Sequence, residues 1–192
     1  MEEATLIQRS RQGDLDAFNR LVESYQSQVF NVAWRILGSS AGAEDAAQEA
    51  FISAYRNIAA YRGGSFRAWL LRIATNSCYD QIRASKRHGG SSLDALLETP
   101  SFQPASNDPS PESQAVTAEL SAAIQHAIAA LPEDQRAVLV LVDIEGLAYE
   151  EVAQAAGVNI GTVKSRLSRA RARVRDLLAA QRELLPDRYR LP

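Results

Sequence analysis

The segment from residue 147 to residue 173 constrains the fold of this chain more than any other part of its sequence. It reads LAYEEVAQAAGVNIGTVKSRLSRARAR. A residue as small as Ala153 lets two helices cross closely, Gly157 permits the positive φ of a tight turn, and Val163 anchors the second helix in a core. This spacing predicts a helix-turn-helix. The alternative is a helical hairpin whose glycine only caps a helix, but that leaves the other two positions unexplained.

The second helix of this motif is predicted to present a polar and basic face to solvent. Between residues 164 and 175 there are six lysine or arginine residues and no acid. Such side chains bind guanine edges in the major groove and also bind phosphates. The face predicted to contact DNA comprises Thr162, Lys164, Ser165, Arg166, Ser168, Arg169 and Arg171.

Helical spacing of apolar residues recurs over most of the 192-residue chain, with predicted helices at residues 14–37, 43–58, 65–84 and 112–130. Asp14 is a plausible N-cap, Gly38 a plausible end, and Pro132 a plausible first-turn proline of a further helix. We therefore expect an all-α fold. The chain lacks an apolar run of the ~18 residues that a membrane span needs, and its first residues are acidic and polar. These features predict a cytoplasmic protein without membrane insertion.

The distribution of charge predicts two helical domains joined by a flexible linker. Residues 88–111 are rich in serine, proline and glycine, and residues 91–131 contain five acids and no base. Bases outnumber acids by eleven to nine before this stretch and by ten to nine after it. We assign residues 1–90 to a first domain, residues 91–118 to an acidic linker, and residues 119–192 to a second domain that contains the helix-turn-helix.

The predicted helix at 65–84 carries a polar stripe that continues just beyond its end. Its members recur every three or four residues: Arg72, Asn76, Tyr79, Arg83 and Lys86. Basic groups interleaved with an amide and an aromatic ring suit a phosphate backbone and unstacked bases. Taken alone, a solvated helix face explains the stripe better, but a helix-turn-helix in the same chain strengthens the nucleic-acid interpretation.

Three stretches together resemble a known family. They are EDAAQEAFISAYRNI (44–58), FRAWLLRIATNSCYDQIRASKR (66–87) and LPEDQRAVLVLVDIEGLAYEEVAQAAGVNIGTVKSRLSRARARV (131–174). In this order, and around such a linker, they resemble the extracytoplasmic-function (ECF) group of bacterial sigma factors in the sigma-70 family. The resemblance implies a sigma-2 domain, a sigma-4 domain, and a transcription initiation factor that directs core RNA polymerase to promoters.

The resemblance also implies partners for particular residues. Asp45, Gln48 and Glu49 correspond to the segment that docks on the β′ coiled coil of RNA polymerase, and the β flap is the implied partner of sigma-4. Residues implied to bind the −10 element are Arg62, Gly63, Gly64, Ser65, Phe66, Arg72, Asn76, Tyr79, Arg83, Lys86 and Arg87, whereas Phe51 and Trp69 are expected in the core. The polar face at 162–171 corresponds to the residues that bind the −35 element. The resemblance also implies an anti-sigma factor as a partner, because members of this family commonly have one.

Two features set this chain apart within the resemblance. Many family members have proline just before the Gly-Thr-Val of the last motif, where this chain has Asn159 and Ile160. That difference leaves the start of the DNA-reading helix open. The acidic linker has the wrong sign to lie on DNA, so it is expected to follow the positively charged RNA channel of the polymerase. The alternative for the linker is a passive tether.

Two other functions fit the sequence less well. A stand-alone, dimeric helix-turn-helix regulator explains the C-terminal part but not the stripe at 72–86. An enzyme acting on nucleic acid would need a metal cluster or clustered carboxylates, and the spacing of Cys78, His88 and His126 matches no such site. We therefore predict a non-enzymatic protein without metal or cofactor.

Overall fold

The computed structural model describes residues 2–87 and 111–180, and within those ranges the chain forms eight α-helices and no strand. The helices are α1 (Glu3–Arg11), α2 (Leu15–Leu37), α3 (Ser40–Asn57), α4 (Phe66–Arg87), α5 (Pro111–Ala129), α6 (Glu133–Leu139), α7 (Tyr149–Ala156) and α8 (Ile160–Ala179). A 3₁₀ turn (Ile58–Ala60) follows α3, and a π-helical segment (Val140–Ile144) continues α6. The predicted all-α fold is confirmed for the described residues.

Both predicted ends of α2 are confirmed. The Asp14 carboxylate accepts a hydrogen bond from the Ala17 amide at 3.0 Å. At the other end Gly38 has a φ of 73°, and its amide donates to the Trp34 carbonyl at 2.7 Å. Only glycine adopts this left-handed conformation without strain, so the helix ends there.

Helix α1 was not predicted. It packs against α2 through Leu6 and Ile7, which are both buried. The hydroxyl of Tyr25 donates to the carboxylate of Glu3 and adds a polar contact between the two helices. Two large apolar residues in nine give too weak a pattern to mark a helix, so its stability depends on this packing.

Helix α5 begins at Pro111, and the predicted domain boundary at residue 119 therefore falls inside a helix. The rest of the predicted linker, residues 91–110, lies outside the described residues. Proline at residue 132 precedes α6 as its N-cap rather than occupying the first turn. Its ψ of 143° is extended, so the chain turns into the helix only at Glu133.

The N-terminal helices α1–α4 and the C-terminal helices α5–α8 pack against each other. Helix α2 contacts α5 and α6, and α4 contacts α7. One continuous core joins Ile36, Leu71 and Cys78 of the N-terminal helices to Val138 and Leu141 of the C-terminal helices. The described parts of the two predicted domains thus share a buried face.

A buried arginine holds this shared face together. Arg136 is 7% exposed, and its guanidinium donates to the Ile36 carbonyl at 2.5 Å and to the Leu131 carbonyl at 3.0 Å. It also donates to the carbonyl of Ala129. These acceptors lie at the end of α2 and just before α6, where helical carbonyls lack a partner within their own helix. Burial lowers the pKa of Arg136, and nearby Glu133 opposes that shift.

Replacing this arginine with an apolar residue of similar length tests its role. We expect Arg136→Met to lower the free energy of unfolding by roughly 3 kcal/mol, because several buried carbonyls lose a charged donor. Urea denaturation followed by circular dichroism measures this loss. The control is Arg56→Met, which changes an exposed arginine of α3 and should shift stability by less than about 0.5 kcal/mol. Equal stability of the two variants would contradict the proposed role.

Candidate nucleic-acid interface

Helix α8 has one buried face and one exposed face, as the helix-turn-helix pattern predicts. Val163, Leu167 and Ala170 are buried against the other C-terminal helices. Gly157 ends α7 with a φ of 64°, which confirms its predicted place in the turn. On the exposed side lie Lys164, Ser165, Ser168, Arg169 and Arg171.

Asn159 fixes the start of α8. Its side-chain oxygen accepts hydrogen bonds from the Thr162 amide at 2.8 Å and from the Thr162 hydroxyl at 3.0 Å. The helix therefore begins at Ile160. The start of this helix, which the sequence left open because the family's proline is absent, is thus fixed by the Asn159 side chain. The second of these bonds holds the Thr162 side chain against Asn159, at the N-terminal end of α8.

Two arginines of α8 are paired with acids of the C-terminal helices. Arg166 lies 2.9 Å from the Asp134 carboxylate in the first turn of α6. Arg171 makes a two-pronged contact with Asp143 in the π-helical segment, at 2.9 and 2.6 Å. Hydrogen bonding to Asp143 raises the pKa of Arg171. Because these acids lie near opposite ends of the α6 and π-helical segment, the pairs fix how α8 crosses it.

The other two basic residues between 164 and 169, Lys164 and Arg169, make no ion pair with a described residue. The Lys164 ammonium lies 5.9 Å from the centre of the Tyr149 ring, which is within the range of a weak cation–π contact. Arg169 is exposed and makes no ion pair with any residue that the structure describes.

A loop with two glycines precedes α4 and is exposed. Gly63 and Gly64 have φ values of 94° and 90°, and apart from the glycine and its two chain neighbours no atom lies within 4 Å of where a Cβ would stand at either position. The hydroxyl of Tyr61 donates to the Gly64 carbonyl at 2.7 Å, and the Ser65 hydroxyl accepts from the Ala68 amide at 3.1 Å. These bonds hold the loop at the start of the helix, with open space beside the two glycines.

The Phe66 ring lies beneath this loop rather than on its surface. It is 2% exposed and packs against the rings of Tyr25, Tyr61 and Trp69, with ring centres 5.5–5.7 Å apart. Trp69 is half-buried in the same cluster, in line with its predicted place in the core. In this conformation Phe66 supports the loop from within, so its ring does not face solvent as a base-stacking residue would.

The polar stripe of α4 is divided between solvent and the C-terminal helices. Asn76, Arg83 and Arg87 are exposed, and Arg72 is half-buried. Tyr79 is half-buried, and its hydroxyl donates to the Glu133 carbonyl at 3.0 Å. Burial raises the pKa of Tyr79, and the charge of Asp134 adds to this shift. The side chain of Lys86 lies outside the described residues.

Asn76 also lines an open groove between α3 and α4. The groove has a volume of about 410 Å³, and Glu49, Ser53 and Ser77 are among its other lining residues. Asp45, Gln48 and Glu49 of α3 are all exposed, and Glu49 is the one of the three that also lines this groove. A second groove of about 500 Å³ lies between α2 and α3 and is lined in part by Phe30 and Phe51. Phe51 is half-buried against the core, in line with its prediction.

The described residues show no group of three or more metal-ligating side chains. Among the helices of residues 2–87 and 111–180, none is long and apolar enough to cross a membrane.

Comparisons with known proteins match both halves of the chain. Residues 21–88 match Sigma-70 region 2, and residues 121–174 match Sigma-70 region 4. ECF RNA polymerase sigma factor SigW of Bacillus subtilis is 38% identical over 178 residues, which cover 90% of this chain and 94% of SigW. ECF RNA polymerase sigma factor SigE of Mycolicibacterium smegmatis is 40% identical over 88% of this chain, which spans only 64% of that longer protein.

Solved structures agree with these sequence matches. The sigma factor RpoE of Bartonella quintana, solved in complex with the anti-sigma factor NepR, has a TM-score of 0.67 and 28% identity, over 84% of this chain and 96% of RpoE. CnrH, solved in complex with the cytosolic domain of CnrY, has a TM-score of 0.66 and 25% identity, over 92% of this chain and 96% of CnrH.

The two matched regions show that the chain is a transcription initiation factor that directs RNA polymerase to promoters, with the polar stripe of α4 in region 2 and the helix-turn-helix in region 4. The chain belongs to the sigma-70 family and, within it, to the ECF group. Proteins of this family are not enzymes, and neither is this chain. A stand-alone dimeric regulator is not favoured, because region 2 occupies the N-terminal half.

The cap of α8 can be tested by itself. We expect Asn159→Ala to lower the free energy of unfolding by about 1 kcal/mol, because the Thr162 amide loses its acceptor. Asn159→Asp keeps an acceptor and should retain most of the stability. Thermal denaturation followed by circular dichroism compares the two variants. If the alanine variant were as stable as the aspartate variant, the side-chain cap would not determine where α8 begins.

Proposed function

We propose that the exposed face of α8 binds the −35 element as duplex DNA. The observation that carries this proposal is the exposed basic face of a helix whose other side is anchored by Val163 and Leu167. Lys164, Ser165, Ser168 and Arg169 point away from the core and supply the base and phosphate contacts. Three further residues flank this set and are already bonded within the protein: Thr162 to Asn159, Arg166 to Asp134 and Arg171 to Asp143. Each of these three side chains reaches DNA only if it leaves or shares its partner.

The second DNA-binding surface is the loop at 62–65 together with α4. It binds the −10 element after the strands have separated. Two glycines let the backbone approach an extruded base closely, and Asn76 offers an amide that can bind a base edge. Arg72, Arg83, Lys86 and Arg87 follow along α4 and bind the phosphates. Tyr79 belongs to the same surface once its bond to Glu133 opens, and Phe66 supports the loop from below.

The polymerase-binding surface of this proposal is the outer side of α3. Asp45, Gln48 and Glu49 are exposed there, whereas Ala43, Ala46 and Ala50 of the same helix are buried. This arrangement leaves the polar side of α3 for the β′ coiled coil of core RNA polymerase. The C-terminal helices would contact the β flap.

Regulation by an anti-sigma factor follows from the neighbours. RpoE and CnrH, which share this fold, were solved with an anti-sigma factor and with the cytosolic domain of CnrY, respectively. We infer that a comparable partner covers part of this chain and that both act in the cytoplasm, where polymerase and promoter DNA meet.

The −35 assignment predicts the effect of removing single basic side chains from α8. Arg169→Ala and Lys164→Ala should each cost roughly 1–3 kcal/mol of binding if the side chain contacts a base edge, and promoter selectivity should change. Core polymerase with each variant is tested on a library of promoter templates, and the transcripts are sequenced. The control is Arg175→Ala, which removes an exposed base near the end of α8. Unchanged selectivity in the Arg169 and Lys164 variants would contradict the assignment.

The −10 assignment predicts a difference between two kinds of template. Asn76→Ala should reduce transcription from duplex promoters more than from promoters carrying a pre-melted bubble, since the amide acts on separated strands. Ser77→Ala, which changes a neighbour in the same groove, serves as the control. An equal loss on both templates would indicate a structural role for Asn76.

A further inference from the structure

A polar cluster joins the N-terminal helices to the turn after the π-helical segment. It consists of Gln28 on α2, Arg67 on α4 and Glu145, and we call it the Glu145 cluster. The Glu145 carboxylate accepts from the Gln28 amide at 2.6 Å and from the Arg67 guanidinium at 3.0 Å. The guanidinium also donates to the Glu145 carbonyl at 2.5 Å and to the Gln28 side-chain oxygen at 3.1 Å. Every member thus contacts the other two.

Arg67 stands at the edge of the proposed −10 surface. It occupies the first turn of α4, two residues after Ser65, at the base of the exposed loop with two glycines. Its side chain is 33% exposed, whereas that of Glu145 is 9% exposed. A guanidinium binds carboxylates and phosphates through the same fork of donors. The Glu145 carboxylate therefore fills a position on Arg67 that suits a DNA phosphate.

The two proposed DNA-binding surfaces meet in this conformation. Tyr79 of α4 donates to Glu133, while Arg166 of α8 pairs with the adjacent Asp134. On a promoter, by contrast, the nominal positions of the −10 and −35 elements lie ~25 base pairs apart, or ~85 Å at 3.4 Å per base pair. The N-terminal and C-terminal helices must therefore separate before both elements are bound. Because the Glu145 cluster bridges them, separation releases Arg67.

We propose that Arg67 is a further −10 DNA-binding residue and that Glu145 is its intramolecular competitor, holding the guanidinium until the two sets of helices separate. This inference rests on the proposed function and adds a residue that the sequence analysis missed. In the closed arrangement Glu145 lowers the affinity of the free chain for single-stranded DNA. In the open arrangement Arg67 binds a phosphate beside the glycine loop.

The test uses the full chain without polymerase and a fluorescent pool of random-sequence, single-stranded DNA, because a phosphate contact does not depend on base sequence. We expect Glu145→Gln to raise the affinity about tenfold and to steepen the dependence of log K on log salt by about 0.7. Arg67→Met should bind more weakly than Arg67→Lys, which keeps the positive charge. In the Arg67→Met background, Glu145→Gln should have no further effect.

A matched control separates this competition from a change in net charge. Glu150→Gln removes one exposed acid from neighbouring α7 and leaves Arg67 paired. If Glu145→Gln gains no more affinity than Glu150→Gln, Glu145 is not a competitor and the inference is overturned. It is also overturned if Glu145→Gln gains the same affinity with and without Arg67. Should Arg67→Met fail to fold, Arg67→Gln takes its place in the same comparison.

Promoter-specific transcription by the wild-type chain with core polymerase is measured in parallel. Normal transcription combined with identical DNA affinities of the wild-type and Glu145→Gln chains would overturn this inference and leave the proposed function standing. Absence of promoter-specific transcription would overturn the proposed function and, with it, the inference.

Discussion

The packing of the described residues depends on one buried cation. Arg136 is 7% exposed and donates to carbonyls at the end of α2 and in the turn before α6. An arginine can satisfy several acceptors at once because its donors are fixed in a plane. The Arg136 side chain of α6 thus joins the end of α2 to the end of α5 and the turn that follows it. The Gln125 amide extends this junction by donating to the Arg35 carbonyl at 3.2 Å.

Local features of the fold could be predicted from the sequence because neighbouring residues determine them. Asp14 caps α2, Gly38 ends it, and Gly157 forms the turn before α8, as their residue types predict. Features that depend on distant residues could not be predicted. Arg67 and Glu145 are separated by 78 positions, and nothing in either segment indicates that they meet. Helix α1 was missed for a related reason, since Leu6 and Ile7 are buried only because α1 packs on α2.

The candidate site shows the same division. Spacing and charge predicted the exposed basic face of α8, but they did not show that Asp134 and Asp143 already hold Arg166 and Arg171. The basic residues of α8 therefore fall into two groups. Arg166 and Arg171 pair with acids of α6 and its π-helical continuation and orient the helix, and the others are left for DNA. In α4 the family resemblance assigned Phe66 to the −10 surface, whereas the structure packs its ring in the core against Tyr25 and Tyr61.

The single cysteine of the chain offers a way to follow motion in α4. Cys78 lies on the buried side of the helix that carries Asn76, and its side chain is fully buried. Burial raises the pKa of its thiol to about 12, so at neutral pH the group is protonated as well as shielded. Alkylating reagents attack the thiolate. The rate at which such a reagent labels the native protein therefore reports how often the core beneath α4 opens, and no second thiol contributes to the signal.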